Sequence, residues 1–185
     1  MRIDSSIVRR ALPALLSPAL GLAPLAAMAA LAVGAHAPDF TAQAALGGKA
    51  FTFSLAQALK KGPVVLYFYP KAFTKGCTIE AHNFQRDLSK FEAENAVILG
   101  VSVDTVDSHK QFCTKDGLTF HLLADPEHKV VDEYGSLGHF GNMTIAMRNT
   151  FLIDPKGKIV RVWTKVDPNV HSTEVLAAIQ DAKKG

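Results

Sequence analysis

The period of apolar and polar positions changes along the chain, and each change marks an element. The stretch "PDFTAQAALGGKAFTFSLA" alternates on both sides of Gly47-Gly48, which predicts a small hairpin followed by a short helical turn. Val64 to Tyr69 ("VVLYFY") is continuously apolar, β-branched and aromatic, as in a strand buried on both faces, and Pro70 stops it. From Cys77 to about Phe91 the period becomes helical, carried by Ile79, Phe84, Leu88 and Phe91. Val97 to Val103 ("VILGVSV") predicts a second buried strand. Asp107 or Ser108 can cap a helix that runs through Phe112 and Cys113 to Gly117. A short strand, Phe120 to Leu123, precedes a helix around Pro126 to Tyr134 with Pro126 in its first turn. "RNTFLIDPKGKIVRVWTKV" reads as two strands around the turn Asp154-Pro155-Lys156-Gly157, and Ser172 to Lys183 as an amphipathic helix. The order β-α-β-α-β-α-β-β-α predicts an α/β fold whose mixed central sheet is flanked by helices, with a hairpin at its N-terminal end.

The first 29 residues follow another logic. A short basic segment ends in Arg9-Arg10, and a charge-free apolar run ("ALPALLSPALGLAPLAAMAALAVGA") follows it. Ala27-Met28-Ala29 supplies a small-x-small cleavage pattern, so residues 1–29 are expected to be an export signal and 30–185 one domain. Ala35-His36-Ala37 also fits, but cutting there removes residues that belong to the fold. An uncleaved membrane anchor is the alternative, which Pro13, Pro18 and Pro24 weaken as a helix. The expected location is the periplasm or another exported space, without stable membrane association after cleavage, where disulfides persist.

Composition narrows the function classes. Apolar residues at 48% and charged ones at 20% suffice for a packed core and rule out a disordered chain. The net charge is +3, but the leader holds three arginines against one aspartate, so the remainder carries +1 and asks for no nucleic-acid partner.

The candidate chemistry centres on the first of two cysteines. Cys77 follows the loop leaving a central strand and opens a helix, at the sheet edge where sites form in open α/β folds. Unpaired amides and the positive helix end favour an anion there, and the thiolate is the nucleophilic form of cysteine. Thr74 lies three residues earlier, and Pro70 closes the loop against water. Position alone leaves packing open as the explanation of Cys77, since free cysteine is often simply buried.

Pro70, Thr74 and Cys77 form P-x-x-x-T-x-x-C directly after "VVLYFYP", with Thr78 and Glu80 next. This pattern resembles the peroxiredoxin active-site motif. With "VGAHAPDFT", "DSHKQF", "LLADPEHKVVDEYG" and "RNTFLIDPKGKIVRVW", the chain from Val33 to Ala182 resembles the peroxiredoxin Q, or bacterioferritin comigratory protein, subfamily. The resemblance implies a thioredoxin-like fold and a thiol-dependent peroxidase acting on hydrogen peroxide or alkyl hydroperoxides. It implies that Cys77 is the peroxidatic cysteine, that Thr74 bonds the peroxide, and that Arg148 stabilises thiolate and leaving oxygen. Glu80 would orient Arg148; an exposed helix carboxylate is its other reading. The resemblance implies no metal, haem or flavin, a monomer, and an external thioredoxin-like dithiol as reductant.

The chain departs from the subfamily at His82, where many members place a resolving cysteine five residues after the first. The other cysteine, Cys113, stands on the next predicted helix, where some members carry their resolving cysteine; packing beside Phe112 is the alternative. Helices flanking a strand seldom hold Cα atoms within the roughly 7 Å that a disulfide needs, so the helix ends around both cysteines are expected to unwind first. Rival functions are an exported copper carrier using His109 and Cys113, four apart on a helix, a disulfide oxidoreductase lacking Cys-x-x-Cys, and a structural staple.

Overall fold

The computed structural model describes residues 29–182. The leader up to Met28 and the chain end after Ala182 lie outside the described residues, so the expected cleavage segment and Lys183 are not addressed by it.

The continuously apolar run forms the central strand. β3 (Val64–Phe68) is buried at every position and lies between β4 (Val97–Ser102), which runs parallel to it, and β8 (Thr150–Ile153), which runs antiparallel. β5 (His121–Ala124) adds in parallel on the far side of β4. The N-terminal hairpin, β1 (Thr41–Leu46) and β2 (Lys49–Ser54), pairs antiparallel with β5, and β9 (Ile159–Trp163) closes the other edge, giving the order β2-β1-β5-β4-β3-β8-β9. A single-turn helix α1 (Leu55–Leu59) follows β2, with Ser54 accepting from the Gln57 amide as its cap.

Alternation along β3 divides the core. Val65, Tyr67 and Tyr69 face a layer containing Phe84, Phe91, Phe112 and Ile179, whereas Val64, Leu66 and Phe68 face Phe53, Val131, Tyr134 and Phe151. Tyr67 stacks on Phe84 with ring centroids 4.7 Å apart, a pair worth about 0.5–1.5 kcal/mol beyond its buried area. β4 makes room with Gly100, where a Cβ would stand 2.7 Å from the Tyr67 hydroxyl.

The first face is covered by α2 (Lys75–Ala93), α3 (Val106–Asp116) and α5 (His171–Ala182). α2 buries Cys77, Ala81, Phe84 and Phe91, a stripe at helical spacing. Its middle is fastened to the start of α5. Asn83 donates to the carbonyls of Pro168 (2.9 Å) and Asn169 (3.1 Å), and Asp87 accepts from Lys90 (2.9 Å), Ser172 (2.8 Å) and Arg86. Arg86 foremost, with Lys90 and Ser172, holds the Asp87 carboxyl well below the usual range.

Several sequence expectations are corrected. α2 opens at Lys75, two residues before Cys77, because Thr74 occupies the extended cap position. α3 is capped by Thr105, whose hydroxyl accepts from the Ser108 amide, and Asp107 sits inside the first turn. The helix expected from Pro126 is only α4 (Lys129–Glu133): Asp125 accepts from the Lys129 and Val131 amides, leaving Pro126 in the preceding turn. A separate hairpin, β6 (Leu137–Phe140) and β7 (Met143–Ala146), lies between α4 and β8 where no strand is expected.

Candidate active site

The site forms where β3 runs out. Tyr69 still bonds β4 through its amide and the Val101 carbonyl (3.0 Å), and Pro70 then turns the chain into a short loop that ends on α2. The loop contains a strained residue: Phe73 has φ 64°, the left-handed region, which costs a side-chain-bearing residue about 1–2 kcal/mol. Its surroundings hold it there. The Phe73 ring meets Phe112 of α3 edge-on at 5.0 Å, and the Lys115 ammonium stands 5.4 Å from the ring centre. The neighbouring Ala72 amide donates to Asp104 Oδ2 at 2.8 Å. Such strain concentrates at functional sites, where surrounding structure over-determines it.

Thr74 is exposed and donates its hydroxyl proton to the Lys71 carbonyl at 2.9 Å, so its oxygen retains lone pairs for a further donor. Cys77, the third residue of α2, is 2% exposed, and the first turn carries no acidic side chain to neutralise the positive helix end. Arg148 precedes β8 by two residues, and the β3–β8 pairing carries it to the loop. Its Nη2 donates to Cys77 Sγ at 3.3 Å, and its Nη1 forms a close ion pair with Glu80 Oε2. The guanidinium lies along the first turn of α2: a Cβ on Gly76 would stand 3.5 Å from Nη2.

Glu80 is fully buried and so is not an exposed helix carboxylate. Its second oxygen has no hydrogen-bond partner, and burial pushes the carboxyl up to about 7 against the opposing pull of Arg148. Burial acts to lower Arg148, but Glu80 and Cys77 outweigh it and hold the guanidinium above its ordinary value. The arginine is therefore a permanent cation shared between a thiol and a carboxylate.

His171, at the start of α5, backs this arrangement. It is fully buried, 2.8 Å from Thr150 Oγ1, and packs edge-on to Phe84 and Trp163. Burial first, then the charge on Arg148, lowers its pKa to about 4. An unfolded histidine titrates near 6.5, so the unfolded state binds more protons between these values. The stability carried by neutral His171 is present above pH 6.5 and is lost as pH falls toward 4. Between pH 7 and pH 5 this amounts to about 2 kcal/mol. Urea unfolding at the two pH values is expected to show that loss shrink by about this amount in His171→Gln; equal losses in both proteins would refute it.

The second cysteine sits elsewhere in the same layer. Cys113, near the end of α3, is 1% exposed and unpaired, as is Cys77. Burial raises its pKa, with the Gly47 and Gly48 amides of the β1–β2 turn opposing. The hydroxyls of Tyr67 and Tyr69 lie within electrostatic reach of both thiols. His82, at the departure from the motif, bridges α2 to α3 by a 3.1 Å contact with Asp116, and Gln85 accepts from the Thr119 amide at 2.7 Å one turn later. His109 and Cys113 share a buried helix face, but His109 Nε2 is 2.8 Å from Ser102 Oγ and 2.9 Å from the Tyr69 hydroxyl. Among the described residues no three His, Cys, Asp or Glu side chains gather where they could hold a metal ion, and no helix is long and apolar enough to cross a membrane. Pro70 borders a cleft of about 440 Å³ together with Lys71, Asp104, His128 and Met143.

Sequence reasoning missed Asp104 and Ser102. The signal was a serine inside the apolar strand "VILGVSV", since a polar side chain on a doubly covered strand must find partners.

A buried thiol held by an arginine in the first turn of a helix whose cap residue is Thr74, on a thioredoxin-like sheet, is the layout of a thiol-dependent peroxidase. The chain belongs to the AhpC/TSA family, whose profile matches residues 33–162. It is 38% identical to Peroxiredoxin Bcp of Bacillus subtilis over 153 residues, 80% of this chain and 95% of the relative. It is 37% identical to chloroplastic Peroxiredoxin Q of Triticum aestivum over 150 residues, 80% of this chain and 66% of that one. A cysteine-to-serine mutant of PrxQ from Xylella fastidiosa superposes with a TM-score of 0.76 at 31% identity, covering 83% of this chain and 98% of that one. The bacterioferritin comigratory protein of Xanthomonas campestris, described for its alkyl peroxide reduction activity, superposes with a TM-score of 0.68 at 33% identity, over 76% and 90% of the two chains. The enzyme is a thiol peroxidase of the Bcp and Q type.

Proposed function

We propose that this enzyme reduces hydrogen peroxide and alkyl hydroperoxides through a sulfenic acid on Cys77, and that Cys113 resolves it. The observation that carries the reading is the 3.3 Å bond from Arg148 Nη2 to Cys77 Sγ at the start of α2. Cys77 thiolate attacks the nearer peroxide oxygen, the S–O bond forms as the O–O bond breaks, and the departing hydroxide or alkoxide takes a proton to become water or alcohol. Thr74 accepts the bond of the incoming hydroperoxide O–H, while Arg148 faces the negative charge that builds on the departing oxygen. The alkyl substrates enter this reading through the Xanthomonas relative.

The Cys113 sulfur then attacks the sulfenic sulfur, a disulfide forms, and water leaves. A thioredoxin-like dithiol reduces that disulfide and is itself oxidised to a disulfide. Cys113 is buried and its thiol is held protonated, so it waits until α3 loosens at its end. The apolar leader supports an exported setting for this cycle, with a donor of the same compartment, and the subfamily resemblance supports a monomer.

Intact-mass spectrometry of the reduced protein after one equivalent of hydrogen peroxide tests the reading. Wild type is expected to lose about two mass units, whereas Cys113→Ser gains about sixteen as a sulfenic acid that dimedone traps. A wild type that stops at the sulfenic acid would remove Cys113 from the cycle. A wild type that does not react would remove the peroxidase reading.

A further inference from the structure

A partly buried polar chain runs from the Cys77 loop to the helix of Cys113, and the peroxidase cycle gives it no role. Its centre is Asp104, just after β4. One carboxylate oxygen, Oδ2, accepts both from the Ala72 amide at 2.8 Å and from the Ser102 hydroxyl at 2.7 Å. Ser102 Oγ lies 2.8 Å from His109 Nε2, and the Tyr69 hydroxyl lies 2.9 Å from the same nitrogen. Ser102 and His109 are fully buried. Burial lowers the His109 pKa to about 4, so the ring stays neutral.

The two ends of this chain are the two mobile parts of the proposed cycle. Ala72 precedes the strained Phe73 in the loop that delivers Cys77, and Tyr69 is the last residue before Pro70. His109 sits on α3 one helical turn from Cys113, and α3 touches the loop again through Phe112 and Lys115. A loop residue in the left-handed region relaxes unless something pins its neighbours, and relaxation moves the first turn of α2. Asp104 supplies the pin.

We propose that Asp104 and His109 are positioning residues with opposite effects on the two half-steps. They hold the Ala72–Thr74 loop in the form that presents Cys77 to peroxide, and they tether α3 so that Cys113 stays back until oxidation. The inference rests on the peroxidase reading, and its second half rests on Cys113 as the resolving thiol. A group that served only to hold the fold together would slow both steps or neither. A tether between the loop and α3 slows the first step when cut and speeds the second.

The test uses the folded reduced enzyme with hydrogen peroxide and acid quenching into mass spectrometry. The first rate, loss of the Cys77 thiol, is read in the Cys113→Ser background, so it is independent of whether Cys113 resolves. The second, disulfide closure from the sulfenic acid, is read with Cys113 present. Asp104→Ala is expected to lower the first rate about tenfold to a hundredfold, as loss of fixed geometry does, and to raise the second several-fold. Asp104→Asn keeps an oxygen that can accept both bonds and is expected to restore both rates to within about threefold of wild type. Ser102→Ala cuts the link to His109 but leaves the Ala72 bond, so it is expected to raise the second rate and leave the first within about twofold. The proposal falls if Asp104→Ala changes neither rate, if both rates drop together, or if asparagine behaves as alanine does. Should Asp104→Ala not fold, Ser102→Ala and Asp104→Asn still decide, because a Ser102→Ala enzyme that closes its disulfide no faster than wild type removes the tether. A wild type without disulfide would instead mark failure of the Cys113 assignment, leaving the first-rate comparison standing.

Discussion

Changing Cys77 to serine is expected to reduce peroxide turnover at least about a thousandfold, to the background of the donor alone. Serine oxygen has no anionic form comparable to a thiolate near neutral pH, and among the described residues the side chain that hydrogen-bonds Cys77 is Arg148, a cation that cannot act as its base. Oxygen also cannot take up an oxygen atom as sulfur does, so even a bound peroxide would meet no acceptor. The fold should survive, because a hydroxyl at this buried position can accept from Arg148 and avoids the roughly 1–3 kcal/mol cost of an unpaired polar group. Peroxide consumption with excess dithiothreitol and a thermal melt would check both parts. A variant retaining a tenth of the wild-type rate would remove Cys77 from the chemistry.

Arg148→Met is expected to lower the first step by about 10²–10³-fold, the range for removing one donor aimed at developing charge. The same change destabilises the protein, because it strips the cation from fully buried Glu80, and breaking such a pair costs about 3–5 kcal/mol. The pH dependence separates the two effects. Burial already holds the Glu80 carboxyl up near 7, above its unfolded value of 4.5, even with Arg148 opposing. A carboxyl raised in this way contributes stability that is full below pH 4.5 and is lost as pH rises through about 7. Without the arginine that upper limit moves higher, so Arg148→Met should be near wild-type stability at pH 6 and clearly weaker at pH 9. Adding Glu80→Gln should remove the stability difference without restoring the rate. If stability fell equally at both pH values, a charged Glu80 would not be the cause.

Most of the scaffold was legible because its signals are local. "VVLYFY" can be little else than a buried strand, and "DPKG" between two apolar runs turns a hairpin. The β6–β7 hairpin was not legible: "LGHF" and "MTIA" are short, outside the main sheet and half exposed, so they lack an alternating buried face. The extent of α4 failed for another reason. Pro126 suits a first helical turn, but Asp125 accepts from amides four and six residues further along, which sequence order does not reveal. In the site, Pro70, Thr74 and Cys77 are close in sequence and visible as a motif. Arg148 and Glu80 are 68 residues apart, and only a family pattern brings them together before the sheet does. Asp104 and Ser102 stood in no motif, and His109, though it lies in "DSHKQF", was given a role only as a possible metal ligand.

The bonds that fasten the middle of α2 to the start of α5 set how far Cys77 can travel. Asn83 and Asp87 hold the helix from its third turn onward, so slack can come only from residues before Asn83. As helix, the stretch from Cys77 to Asn83 spans about 9 Å at 1.5 Å per residue. Drawn out fully, it spans about 20 Å at 3.3–3.6 Å per residue. The anchor therefore grants the first cysteine a leash about 11 Å longer than its resting span, while Phe84 and Phe91 stay seated in the core. In the proposed cycle, unwinding these two turns would let Cys77 travel toward Cys113, with Phe84 and Phe91 as the seats on which the helix forms again.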